Sequence, residues 1–223
     1  MPYRLDLADT TPAGGVAYYR HTDLLADGLR ARQQSAGEAV DTAACIRQFE
    51  PLFVPGYVQS PAWIRAIFSF NRDNATGQPP ADIEQAVTTR LQRQQTLLNQ
   101  GTTRLHVVMA ETALRVWGLP GDVLTEQIDL LRQAVHDQRL QLGILQQRAA
   151  LPAPPSNQIT LYDDEQLRIE LEAGLLVMDD PDVIAAYRRS FDDIAAAALY
   201  GAAAAEHLAR LRTELLDSAE QGP

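Results

Sequence analysis

Arg90, Arg93 and Gln94 stand at i, i+3 and i+4, a spacing that sets two guanidiniums and an amide on one helix face. The planar Arg fork binds carboxylates bidentately. That face could therefore hold an anionic ligand, a partner's acidic tail or the carboxylate of Glu111, and the bland alternative is an ion-pair network between two segments. Gln59 and Ser60 follow a Pro55-Gly56 corner that aims backbone N–H groups at a helix start. Such a place suits an anion or a ligand carbonyl, though it is more often only a strand-to-helix turn. Phe49, Phe53, Tyr57, Trp63 and Phe68 cluster around the corner and read as core, or as the wall of a partly open cavity. If the fold brings Tyr57, Arg90, His106 and Glu111 together, acid–base chemistry on a bound small molecule follows.

Other chemistries are harder to build. All nineteen cations are Arg, which removes Schiff-base chemistry, a Walker-type loop and a lysine base together. His21, His106, His136 and His207 include no two at ligand spacing on one helix, so no metal site is expected. His106 reads as a core histidine on an apolar strand, and His136 as a cation near a helix C-terminus. Asp179 to Asp182 reads as a helix cap around Pro181, and Asp163-Asp164 as a hairpin-like turn. No G-x-S-x-G, H-E-x-x-H, G-x-G-x-x-G or paired-Cys motif occurs, and no cofactor is expected. A net charge of −10 argues against direct nucleic-acid binding. The single Cys45, an N-terminus without an apolar core and the lack of a membrane-length apolar run lead to the expectation of a soluble protein of the reducing cytoplasm.

The elements that must position these residues follow from periodicity. A helical pattern runs from Val16 through Leu29, and a short helix is expected over Gly37–Cys45. Ile46–Val54 reads as a strand, Ser60-Pro61 as the cap of a helix carrying Trp63, Ile64, Ile67 and Phe68. Pro80 opens a helix with Ile83, Val87, Leu91 and Leu98 inward. Arg104–Ala110 is a strand, followed by a helical turn at Glu111–Trp117 and a helix with Leu124, Ile128, Leu131 and Val135 inward. Leu140 to Ile144, Ile159–Tyr162, Leu167–Leu171 and Leu175–Met178 read as strands. Two helices close the chain, from Pro181 through Leu199 and from Ala202 to Leu216. The order gives an α+β class: a small, mostly antiparallel sheet packed by amphipathic helices, with helical ends. The Ala-rich last helix, Ile194 to Leu208, could pair with its own copy in a homodimer.

Several segments resemble a known family. Ile46 to Pro61, with Pro55-Gly56-Tyr57-Val58-Gln59-Ser60, is similar to a strand ending in Pro-Gly-Leu-Leu-Gln-Thr. Arg90-Leu91-Gln92-Arg93-Gln94 resembles an Arg-x-x-Arg-Gln helix, and Glu111-Thr112-Ala113-Leu114-Arg115 a Glu-x-x-Leu-Arg segment. Together with Glu126 to Leu131 these resemble the effector domain of actinobacterial, antitoxin-like Xre-family transcriptional regulators. That domain normally follows a helix-turn-helix, for which the residues before 46 leave no room. The resemblance implies residues 1–45 as an arm with connecting helices, 46–217 as a ligand- or partner-binding effector domain, and 218–223 as a disordered tail. It implies a regulatory module binding a small molecule or a short partner protein through Gln59, Trp63, Arg90, Arg93, Gln94 and Arg115. The other reading reuses the same pocket for a cofactor-free cyclase or isomerase step of secondary metabolism, with Tyr57, Glu111 and His106 as its catalytic groups.

Overall fold

The computed structural model describes residues 15–26, 28–30, 32–33, 43–70, 80–99, 102–115, 118–137 and 140–220. Its centre is a seven-stranded sheet of order β1-β7-β6-β5-β2-β3-β4. The strands are β1 (Val16–Arg20), β2 (Cys45–Glu50), β3 (Arg104–Ala110), β4 (Leu140–Leu145), β5 (Ile159–Tyr162), β6 (Gln166–Leu171) and β7 (Gly174–Met178). Pairing is parallel for β2–β3 and β3–β4 and antiparallel elsewhere. The helices are α1 (His21–Leu24), α2 (Pro61–Phe70), α3 (Ile83–Asn99), α4 (Gly121–Ala134), α5 (Pro181–Ala197) and α6 (Gly201–Glu220), with a 3₁₀ turn at Glu111–Leu114. The fold is α+β.

The period-2 alternation of the strands divides the core in two. Ile46, Leu105, Val107, Met109, Leu142 and Ile144 face one side, where Trp63, Leu97, Ile128 and Leu208 from α2, α3, α4 and α6 cover them. Phe49, Val108, Ile159 and Leu161 face the other, under Ile184, Phe191 and Ile194 of α5. A smaller cluster of Leu29, Ile64, Phe68, Ala86 and Val87 locks α2 to α3. Because the parallel strands are joined by α2–α3 and by α4, those helices share one face of the sheet.

Three expectations change. The helical pattern expected from Val16 is instead strand β1 over Val16–Arg20, paired with β7, and helix follows at His21–Leu24 and again from Gly28. The aromatic pair Tyr18-Tyr19 suits a pleated edge, and close approach of Tyr19 to Gly174 fixes the pairing: a Cβ on Gly174 would lie 2.1 Å from the Tyr19 carbonyl oxygen. The strand expected to reach Val54 stops at Glu50, since Pro51 has no N–H to give the ladder. The expected helix at Gly37–Cys45 lies largely outside the described residues, and its last residue opens β2. The caps follow expectation. Ser60 Oγ accepts from Trp63 N at 3.2 Å, and the Asp180 carboxylate accepts from Asp182 N and Val183 N. Helix α6 continues to Glu220, beyond Leu216, with Ala204, Leu208 and Leu211 of its apolar face buried in this chain's own core.

Candidate functional site

The Pro55-Gly56 corner and the twin-arginine helix meet. Arg90 Nη1 donates to Gln59 Oε1 at 2.6 Å and Arg90 Nε to Gln33 Oε1 at 2.8 Å. Arg93 Nη1 donates to the Gln33 carbonyl at 2.9 Å, and Gln94 Nε2 to the Gly56 and Gln59 carbonyls at 2.8 and 3.2 Å. Gln59 Nε2 closes the corner on the Val54 carbonyl at 2.6 Å. From the other side, Gln127 of α4 accepts from Ser60 N and donates to the Val58 carbonyl, both at 2.8 Å. Side-chain amides thus satisfy backbone groups that a buried turn would otherwise leave unpaired.

Opposite α3, the sheet presents polar side chains where a core would be apolar. On the face that also bears Ile46, the alternation sets Gln48 and Glu50 of β2, Thr160 and Tyr162 of β5, and Arg168 and Glu170 of β6. Arg90, Arg93 and Arg32 reach this surface electrostatically, as do Glu50, Glu170 and the two phenols Tyr57 and Tyr162. Glu50 accepts from Gln48 Nε2 at 2.7 Å, while Gln48 Oε1 is buried with no hydrogen-bond partner. Burial, helped by the charge of Glu170, pushes the Glu50 carboxyl up to about 8 against the pull of the Gln48 bond and of Arg90. Burial also pushes the Tyr57 phenol up, with Tyr162 adding to it. For Arg90, burial and then the charge of Arg93 lower the guanidinium, which remains protonated at neutral pH. Arg90 lies over the Phe68 ring at 4.6 Å and Arg168 over Tyr162 at 4.8 Å. Arg32 pairs with Glu170 at 3.0 Å.

The remaining residues singled out in the sequence lie in other settings. Trp63 is fully buried in the core, its Nε1 without a partner. His106 faces the α5 side of the sheet, bonded through Nε2 to Tyr200 Oη at 2.9 Å and edge-on to Phe191 at 5.0 Å. Burial, and after it the charge of Arg47, keeps His106 below its ordinary value. Glu111 accepts from His207 Nε2 at 2.5 Å and pairs with Arg115 at 3.3 Å, and Arg115 also reaches Glu214 at 2.7 Å. Tyr57, Gln59, Arg90, Arg93 and Gln94 therefore gather at one place, while His106 and Glu111 have their hydrogen bonds elsewhere. Gln33, Gln48, Glu50, Tyr162, Arg168 and Glu170 belong to the first place and were not singled out in the sequence. The available signal was polar alternation on one face of β2, β5 and β6. Among the described residues, no group of three or more His, Cys, Asp or Glu side chains could hold a metal ion. No helix among them is long and apolar enough to cross a membrane.

Residues 33–210 match the sequence profile of DUF5753, described as a domain of unknown function. The chain belongs to this family. No curated protein matches it. Among solved structures, it is similar to NucT from Helicobacter pylori at 10% identity and a TM-score of 0.44, covering 84% of this chain and 99% of that one. Nuc from Salmonella typhimurium, a phospholipase D family member, is similar at 9% identity and 0.40, covering 84% and 98%. TrmBL2, an archaeal chromatin protein with a novel mode of DNA binding, is similar at 13% and 0.38, covering 84% and 55%. The expectation of an antitoxin-like module of transcriptional regulation is corrected here: the family that the chain matches is described by no such role, and neither NucT nor Nuc is described as a regulator. At such identities and scores the likeness carries no argument about this chain, and the chemistry of this DUF5753 chain rests on its own residues.

Proposed function

We propose that this DUF5753 chain is an acid–base catalyst acting on a small molecule, of the cofactor-free cyclase or isomerase type, with Glu50 as the group that carries the proton. The observation that carries the reading is the setting of Glu50. Arginines stand around it, yet its hydrogen bond among the described residues comes from the uncharged amide of Gln48. A structural ion-pair network would place a guanidinium fork directly on that carboxyl. Here the carboxyl is held as an acid near neutrality, the condition under which a carboxylic acid can both give and take a proton.

In such a reaction Glu50 delivers its proton to one atom of the substrate and recovers one from another, so the acid is regenerated. Tyr57, held as a neutral phenol, serves as a hydrogen-bond donor rather than a base. Arg90 stabilises negative charge that develops on the substrate between the two transfers. Gln59, Gln33 and Phe68 hold Arg90 in place.

The test needs no prior substrate. Purified protein is incubated in deuterated water with pools of small carbonyl and hydroxy compounds, and deuterium entering carbon positions is followed by mass spectrometry. Enzyme-dependent exchange that disappears in Glu50→Gln is expected. Exchange that persists undiminished in Glu50→Gln removes Glu50 from the role. No exchange and no rearrangement with any pool overturns the reading.

A further inference from the structure

A chain with net charge −10 gathers several positive charges at this surface. Arg32, Arg90, Arg93 and Arg168 are electrostatic neighbours there, against Glu50 and Glu170. Arg32 is paired with Glu170. The hydrogen bonds of Arg90 and Arg168 among the described residues go to uncharged oxygens, Gln33 and Gln59 Oε1 for the first and Gln166 Oε1 for the second. Both cations are also stacked on aromatic faces, which fixes their planes without neutralising them. Holding half-buried guanidiniums against neutral partners is unfavourable, and an arriving anion relieves it. The buried, unpartnered Gln48 Oε1 is a second request from the same surface: it accepts a hydrogen bond and lacks a donor.

We infer that the polar face of β2, β5 and β6 under α3 is a receptor for a small organic oxyanion, its carboxylate or phosphate seated on Arg90 beside Arg93 and Arg168, with a hydroxyl or amino group donating to Gln48 Oε1. This deepens the reading of the same site as catalytic, naming the substrate class, and its binding test stands apart from turnover. The planar fork of Arg fits either oxyanion, and the neighbouring acceptor selects compounds with a donor close to the charge.

Binding of inorganic phosphate, malate and succinate to the full chain is measured by calorimetry, with glycerol as the uncharged control. Expected is saturable binding of phosphate or malate and none of glycerol, with malate bound more tightly than succinate because only malate brings a hydroxyl. The stronger of the phosphate and malate arms assigns the oxyanion. Arg168→Gln, whose parent side chain is half-buried, stacked on Tyr162 and, among the described residues, hydrogen-bonded to Gln166, keeps the fold and weakens binding by about tenfold. Arg90→Gln weakens it further, and a circular dichroism melt shows whether that variant is folded. Absence of binding by both anions overturns the inference, as does undiminished binding by folded Arg168→Gln. Equal affinity for malate and succinate overturns the part assigned to Gln48. Anion binding without deuterium exchange sinks the catalytic reading and leaves the receptor standing. Exchange without any anion binding does the reverse.

Discussion

Arg90 of α3 and Gln59 of the strand-to-helix corner are joined by a 2.6 Å hydrogen bond, and each is held by a second one: Arg90 to Gln33, and Gln59 to the Val54 carbonyl. Two segments separated by thirty-one positions are thereby fixed at the place where the polar face of the sheet begins. Geometry of this kind depends on a fork with donors at fixed angles.

Arg90→Lys keeps the charge and loses the fork. A single ammonium cannot reach Gln33 and Gln59 together while lying flat on Phe68. The expected outcome is a loss of about 1–3 kcal/mol in unfolding free energy, read by urea denaturation. An unchanged midpoint would mean that apolar packing of Phe68, Ala86 and Val87 alone holds the corner to the helix.

Glu50 gives the fold a pH dependence of definite sign. Its carboxyl sits at about 8 in the folded chain against an ordinary 4.5. Between those values the folded state holds a proton that the unfolded state has released. Stability therefore falls as pH rises from about 4.5 through about 8 and levels off above. With allowance for the side chain's partial exposure, the fall attributable to Glu50 is about 2 kcal/mol. Glu50→Gln, which still accepts from Gln48, should remove that fall and be more stable than the parent at pH 8. Thermal melts of both proteins from pH 5 to 9 decide it, and parallel curves would show that Glu50 ionises normally.

The class of fold was legible because apolar residues recur in the strands at spacing 2 and in the helices at 3.6. Ile46, Leu105, Val107 and Met109 announce their face, as do Ile128 and Leu131. The corner and the twin-arginine helix were legible as neighbours because their residue types suit each other. The polar face was not. Gln48 and Glu50 lie on β2, and Tyr162, Arg168 and Glu170 on the β5–β6 hairpin far later in the sequence, and each looks locally like the solvent side of an amphipathic strand. Only the register, Gln48 opposite Thr160 and Thr160 opposite Arg168, puts them on the side covered by helices. Pairing of Val16–Arg20 with the end of the sheet is non-local in the same way. The turn at Asp163-Asp164 was read from residue type, and both residues have positive φ, 53° and 57°, which Asp tolerates better than most.

Gly143 of β4 is required by the Tyr200 ring. A Cβ at residue 143 would lie 2.7 Å from two ring carbons of Tyr200, whose hydroxyl accepts from His106 and donates to the Ala195 carbonyl. Gly143→Ala forces that ring out of its place and should cost about 1–3 kcal/mol. Tyr200→Ala removes the obstacle along with the hydrogen bonds. Adding Gly143→Ala to Tyr200→Ala should then cost little more than Tyr200→Ala alone, a non-additivity read from the four melts of the cycle. Additive losses would place the strain of Gly143→Ala on the backbone instead.

Glu111 and His207 test whether the molecule has one site or two. Their 2.5 Å bond joins the end of β3 to α6, with the two side chains 5% and 11% exposed. Arg115 on one side and Gln146 on the other complete a chain of contacts from Glu214 to the end of β4. None of these contacts involves Tyr57, Gln59 or Arg90, so the pair acts as a pin between the sheet and the last helix. Glu111→Ala should cost about 1–3 kcal/mol in stability, since it strands a buried imidazole donor. The same variant, once shown to be folded, should bind phosphate or malate as the parent does. If anion affinity fell together with stability, the pin and the polar face would be parts of one cooperative site. Unequal responses, stability lost and affinity kept, separate the pin from the polar face and leave Glu111 to hold α6 against the sheet.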